Sequence, residues 1–243
     1  MKSKAKRVLE FYVLTNKLKN VIRTGWIDWG VDRNRIESVA EHVYGTQQLA
    51  LAMWSEYNYD IDIKKVALML SVHELEETVI GDLTQFQISR EEKEKIGHEA
   101  IEKVLSNLTM GIEVKELIME FDERKTKEAK FAYMCDKLEC DLQCKIYDDE
   151  ACVDLDAQQD NKTFYNKEVQ ELLNEGKCWS EMWMEFGRRK YPYDENFSEV
   201  SLYAEKNDLQ DAWKKFKRLI KGKSVKKYYS FSFLFMLYWL YRE

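Results

Sequence analysis

Ser71-Val72-His73-Glu74-Leu75-Glu76-Glu77-Thr78-Val79-Ile80-Gly81-Asp82 decides the reading of this chain, because there an apolar run fills abruptly with groups able to hold a divalent cation. Immediately upstream, Val66, Ala67, Leu68, Met69 and Leu70 read as a helix buried on most of its circumference. A carboxylate carried into such surroundings without a partner is strongly destabilising, so Glu74 and Glu77 need one. If the helix continues, His73 and Glu77 lie four residues apart on one face, with Glu74 about 100° around from His73. Gly81 then allows a break in the backbone, and Asp82 leans back over the mouth of the same site.

A single His-Glu pair fits a core histidine bonded to its neighbour equally well, and the rest of the sequence supplies the contrast. The chain has three histidines. His42 stands one turn into a well-signalled helix, in Glu37-Ser38-Val39-Ala40-Glu41-His42. Far downstream, Asp136 interrupts the apolar helix Phe131-Ala132-Tyr133-Met134-Cys135-Asp136-Lys137-Leu138. Two imidazoles and two carboxylates form a mixed nitrogen and oxygen set suited to Mn, Co, Mg, Fe, Ni or Zn, with water completing the coordination.

The order of these residues resembles the HD-domain metal-dependent phosphohydrolases: His, then His followed by an acid, then a distant Asp. Arg23-Thr24-Gly25-Trp26, Glu37 to His42, Glu77, Gly81-Asp82 and Cys135-Asp136-Lys137-Leu138-Glu139 extend the likeness to the 5'-deoxynucleotidase branch, over roughly residues 5 to 190. One position departs from the pattern, since Glu74 stands where the family has Asp, with its carboxylate one methylene farther out. The resemblance implies an all-α fold, a single helical bundle, with His42, His73, Glu74 and Asp136 as ligands of one divalent metal ion. It further implies a small nucleotide substrate, a (deoxy)nucleoside 5'-monophosphate, with Arg23, Trp26 and Arg35 on the nucleotide-binding side, and a homodimer. Within that frame Glu77 is placed to orient or deprotonate water or to protonate the leaving oxygen. Asp82 is placed to accept a hydrogen bond from a sugar hydroxyl. Two alternatives stay open: hydrolysis of a triphosphate or diester, and a metal- or nucleotide-binding regulatory module in which Glu74 has ended catalysis.

The composition is compatible with this reading. The chain has 243 residues, 45% of them apolar and 34% charged, with one Pro and nine Gly, so helix breakers are scarce. Five cysteines, Cys135, Cys140, Cys144, Cys152 and Cys178, form an odd set without a Cys-x-x-Cys pair, which argues against a disulfide framework and for reduced thiols in the cytoplasm. Cys140 and Cys144 share a helix face, consistent with core packing or a thiolate site. The net charge of −6 is uneven: residues 212 to 243 hold nine Lys or Arg and one Glu, leaving −14 for the rest. Such an acidic body does not favour nucleic acid.

Along the chain, an apolar stripe from Val8 to Leu18 predicts a helix over 4 to 20. Trp26, Trp29, Arg23, Arg33 and Arg35 then mix flat rings with guanidinium groups that can fork onto phosphate, or else form a loop covering the core. Ser38 with Glu41 opens a helix to about Tyr57, Asp62 caps the helix bearing His73, and Ser89 with Glu92 opens one to about Leu108. His98 on that helix reads as exposed. Further helices are predicted over 113 to 123, 126 to 147, 164 to 173 and 178 to 186, with a solvated mobile loop at 148 to 161. The catalytic domain is expected over 1 to 195, followed by a basic and aromatic extension over 196 to 243. Its apolar part, as a helix of about 21 Å, is shorter than the roughly 30 Å hydrocarbon core. Residues 213 to 242 therefore read as a peripheral membrane contact, or as a segment packed on the body or on a second subunit.

Overall fold

The computed structural model describes residues 3–211 together with 214, 215 and 217. The chain forms α1 (Lys4–Thr15), α2 (Thr24–Asp28), α3 (Val39–Tyr57), α4 (Ile63–Val72), α5 (Glu77–Ile80), α6 (Arg90–Leu105), α7 (Gly111–Glu123), α8 (Lys127–Asp149), α9 (Lys167–Asn174), α10 (Trp179–Lys190) and α11 (Glu195–Glu205). The described residues contain no β-strand, only an isolated antiparallel bridge between Ile22 and Ser38. The all-α expectation therefore holds.

Local chemistry sets most helix boundaries. Ser38 accepts from the Glu41 amide while Glu41 reaches back to the Ser38 amide, which starts α3, and Asn58 in the left-handed conformation (φ 55°) stops it. Asp62 accepts from Lys64 and Lys65 to start α4, and Thr126 accepts from Ala129 to start α8. The predicted first helix is α only as far as Thr15 and tightens to a 3-10 turn over Asn16–Asn20.

Helix α8 is the central element and packs against α3, α4, α7, α10 and α11. Its inner side joins Ala50, Met53, Val66, Met69, Leu70, Phe131, Leu138 and Phe197 in one core. A second, aromatic core gathers Trp26, Trp29, Tyr147, Trp179 and Phe186, and a third, around Leu75, Ile101 and Ile118, seats α6 and α7.

Three expectations need correction. The helix bearing His73 does not run on to Glu77: α4 ends at Val72, with His73 as its C-cap. Amides of Leu75, Glu77 and Thr78 then donate to carbonyls three residues back. This tighter winding aligns residues three apart rather than four, so His73 and Glu77 do not share a helix face. Second, residues 148 to 161 are not simply solvated. Asp148 accepts from the amide and hydroxyl of Ser180, and buried Gln158 donates to the Trp29 carbonyl, tying the segment to the aromatic core. Third, the compact unit reaches Lys206, beyond the expected end at 195, because Asp194 caps α11 and buried Phe197 and Ala204 pack it against α8 and α10.

In the second unit, Asn207–Glu243, Lys214 pairs with Asp208 and Asp211. The membrane contact read over 213 to 242 lies outside the described residues except for Lys214, Lys215 and Lys217. No helix among the described residues is long and apolar enough to cross a membrane.

Leu138 is fully buried where α8 meets the main core. Replacing it with Ala is expected to lower stability by about 2–5 kcal/mol through lost burial and a residual cavity. In urea unfolding this reads as a lower midpoint with an unchanged slope.

Candidate metal centre

Helix α3 brings in His42 from its first turn, the C-terminus of α4 brings His73 and Glu74, and the middle of α8 brings Asp136. All four are buried, and one ligand atom from each lies within 4.8 Å of the others. His42 Nε2 is 3.1 Å from Asp136 Oδ1 and 3.8 Å from Glu74 Oε1. His73 Nε2 is 3.6 Å from Glu74 Oε1 and 3.8 Å from Asp136 Oδ1. Donors about 2.1 Å from one ion lie roughly 3 to 4.2 Å apart, so these separations suit a shared cation. The longer Glu74 side chain reaches the cluster because its Cα sits in the tightened turn.

The outward bonds of the two imidazoles fix what they present inward. Nδ1 of His73 donates to the Leu70 carbonyl at 2.8 Å, leaving Nε2 buried without a hydrogen-bond partner. Nδ1 of His42 lies 2.5 Å from Glu139 Oε2 and donates to that carboxylate, which turns Nε2 toward Asp136. At 3.1 Å, His42 Nε2 and Asp136 Oδ1 need a proton or a metal cation between them. This carboxylate to imidazole arrangement orients metal-bound histidines. The polar groups present therefore fit a divalent metal on geometry and on charge.

Electrostatics point the same way. Burial disfavours ionised Asp136, but Lys137 and the two imidazoles hold its pKa well below the usual range. Burial likewise opposes charge on Glu74, yet Lys93, His73 and Arg23 keep it below the usual range. Burial and Arg23 work against a charged His42, and Cys140, Glu139 and Asp136 outweigh them, raising its pKa well above the ordinary value. The cluster thus demands positive charge.

The cluster opens onto a cavity of about 370 Å³ lined by Arg23, Trp26, Asp82 and Lys137 among others. Arg23 lies 3.6 Å from Glu74 and 3.5 Å from Asp82, and donates to Cys140 Sγ at 3.2 Å. Asp82 follows Gly81, whose φ of 77° permits the break, and its Oδ2 accepts from the Thr24 amide at 2.6 Å, locking the Arg23 loop over the site. Trp26 is mostly core: its indole donates to Glu37 at 2.7 Å and its ring meets Tyr147 edge-on. Glu77 is buried, with Oε1 accepting from Lys93 at 2.9 Å and Oε2 unpartnered.

Arg35 is not part of this site. Its side chain is 81% exposed and paired with Glu41 at 2.5 Å, outside the cavity lining, because a carboxylate in the first turn of α3 captures it. His98 is half-buried against Asp122 at 2.8 Å rather than exposed, and stands apart from the ligand cluster. Cys140 and Cys144 do not share a ligand cluster among the described residues, and burial keeps Cys144 a thiol. Sequence reading gave no role to Lys93, nor to Glu139 and Lys137 although both stand in the motif around Asp136; Lys137 Nζ lies 2.8 Å from Asp136 Oδ2. Only Glu139 had a local signal: three residues after Asp136, it shares the same helix face.

A family model described as HD domain matches residues 15–183. The 5'-deoxynucleotidase HDDC2 of Dictyostelium discoideum is 34% identical over 148 residues, covering 58% of this chain and 77% of that protein. The Homo sapiens protein of the same name is 32% identical over 148 residues, covering 60% and 70%. A solved structure from Magnetospirillum magnetotacticum, described as a predicted metal-dependent phosphohydrolase, superposes with a TM-score of 0.59 at 20% identity, covering 87% of this chain and 98% of that one, and speaks to the fold alone. The model match spans most of the chain and takes in the four clustered ligands, and by that measure the chain belongs to the HD-domain family.

Proposed function

We propose that the protein hydrolyses the phosphomonoester of deoxynucleoside 5'-monophosphates, using a divalent cation held by His42, His73, Glu74 and Asp136. The observation that carries this reading is one cavity lined by His73, Glu74 and Asp136 of that cluster together with Arg23 and Lys137, with His42 buried directly behind them. The curated relatives named 5'-deoxynucleotidases support the substrate class.

A bound cation supplies Lewis-acid polarisation of a phosphoryl oxygen and a water of lowered pKa. The chain's own groups do the rest. Arg23 and Lys137 offset charge on the phosphate, each held in place by carboxylates of the site. Glu77, buried just outside the cavity lining behind Glu74 and Glu76 and steadied by Lys93 through one oxygen, is assigned the role of holding or passing a proton through its unpartnered Oε2. Asp82, fixed by Thr24, accepts from a sugar hydroxyl on the same side of the cavity as Arg23.

Glu74 is no obstacle to this chemistry, since its Oε1 lies within 3.8 Å of both imidazole nitrogens. A two-metal diesterase reading has less support. The other candidate cluster among the described residues, His42, Glu139 and Cys140, shares His42 with the first and faces the nitrogen that Glu139 already engages.

The test is phosphate release from a panel of nucleoside mono- and triphosphates and diesters with added Mn, Co or Mg. Release from monophosphates alone is expected; tight binding without release would favour a regulatory module. His73→Ala and Asp136→Ala are each expected to abolish bound metal, by elemental analysis, together with turnover. Glu77→Gln should retain metal and lose about 10²-fold or more in kcat, the usual scale for acid-base catalysis. Glu139→Gln should weaken metal binding by about 10- to 100-fold in a chelator competition, because it supports His42 without touching the ion.

A further inference from the structure

The cavity continues beyond the metal cluster along α8. Asp136, Lys137, Cys140, Asp141 and Cys144 all line it. At about 1.5 Å of rise per residue, Asp141 lies about 7.5 Å and Cys144 about 12 Å past Asp136 along the axis. That is the reach of a nucleoside monophosphate from its phosphorus to the far edge of its base.

At this far end the cavity is walled by Phe86 and Trp183, half-buried rings whose faces the fold does not fully cover, while Tyr191 lines the near end, its ring 6.0 Å from Lys137 Nζ. The Trp183 ring lies 6.2 Å from Phe86 and 5.9 Å from Trp29, which holds it upright. Between this wall and the metal cluster sits Asp141, buried, with Oδ2 accepting from the Tyr193 hydroxyl at 3.1 Å. It fits only because Gly187 has no side chain, since a Cβ there would fall 2.3 Å from Asp141 Oδ2. Gly187 follows Trp183 by four residues on the same face of α10, which sets the carboxyl beside the aromatic wall. Oδ1 has no hydrogen-bond partner among the described residues. Burial raises this carboxyl to about 8 against the opposing pull of Tyr193, Arg188 and Lys137, so near neutral pH it carries a proton and can both donate and accept. No step of the phosphate chemistry uses it.

We propose that the slot walled by Phe86 and Trp183 is the nucleobase subsite, and that Asp141 at its inner end hydrogen-bonds the edge of the base. The proposal rests on the nucleotidase reading and adds the part of the site that recognises the base. Flat rings suit any base, because stacking tolerates sequence, while one donor-acceptor group ranks bases by the edge they present.

The experiment compares kcat/KM of the metal-loaded full chain for the four deoxynucleoside 5'-monophosphates with that for 2-deoxyribose 5-phosphate, which has the same phosphate and sugar and no base. The wild type is expected to favour nucleotides by about tenfold or more, the scale of one stacked base. Asp141→Ala should reduce that ratio by about tenfold, the scale of a lost buried hydrogen bond. Asp141→Asn, which also offers a donor and an acceptor, should keep it within about threefold. Should Asp141→Ala fail to fold, Trp183→Leu reads the same ratio and is expected to lower it. Equal rates on nucleotide and sugar phosphate by the wild type, or a variant that lowers both in the same proportion, would overturn the proposal. Absence of hydrolysis of all five substrates would remove the nucleotidase reading and this subsite with it.

Discussion

Two imidazoles and two carboxylates, buried together with their ligand atoms converging on one point, constrain the rest of this structure. Such a cluster is costly in an apolar interior unless a cation joins it. The helices are arranged to bear that cost. Helix α8 delivers Asp136, α3 delivers His42, and the end of α4 delivers the remaining pair, while Leu70 and Glu139 take the outward imidazole protons. The hydrophobic core around Leu70 and Leu138 lies immediately beside the ligands, so packing and metal affinity draw on the same helix contacts.

A second tier of charges surrounds the first. Lys137 shares Asp136 with the metal cluster, Lys93 holds Glu77, and Arg23 is clamped between Glu74 and Asp82. Each cation is paired yet lines the cavity, which is how a site keeps positive charge in place before an anionic substrate arrives. The loop bearing Arg23 is itself fastened by Asp82 and Thr24 and by the bridge between Ile22 and Ser38.

Much of this was legible in the residues because the signals are local. Ser38, Asp62 and Thr126 announce their helices through caps that involve only the next three or four positions. The clustering of His42, His73, Glu74 and Asp136 was legible through the spacing of a family pattern. What escaped depends on partners distant in sequence. The bond from Glu139 to His42 spans 97 positions, and Arg35 looked like a phosphate ligand until Glu41 was seen to hold it. The tightened turn at residues 73 to 76 escaped for a different reason: nothing in its composition breaks a helix, and there the buried carboxylates of Glu74 and Glu77 face different partners. The acidic 148 to 161 stretch misled through composition, since its fold is set by contacts with Trp29 and Ser180.

Anomalous diffraction from crystals of the protein loaded with Mn or Co tests the central claim most directly. The account predicts one strong peak per chain within about 2 to 2.3 Å of donor atoms from His42, His73, Glu74 and Asp136. A peak elsewhere with those four side chains unligated, or no peak at full metal loading, would contradict it.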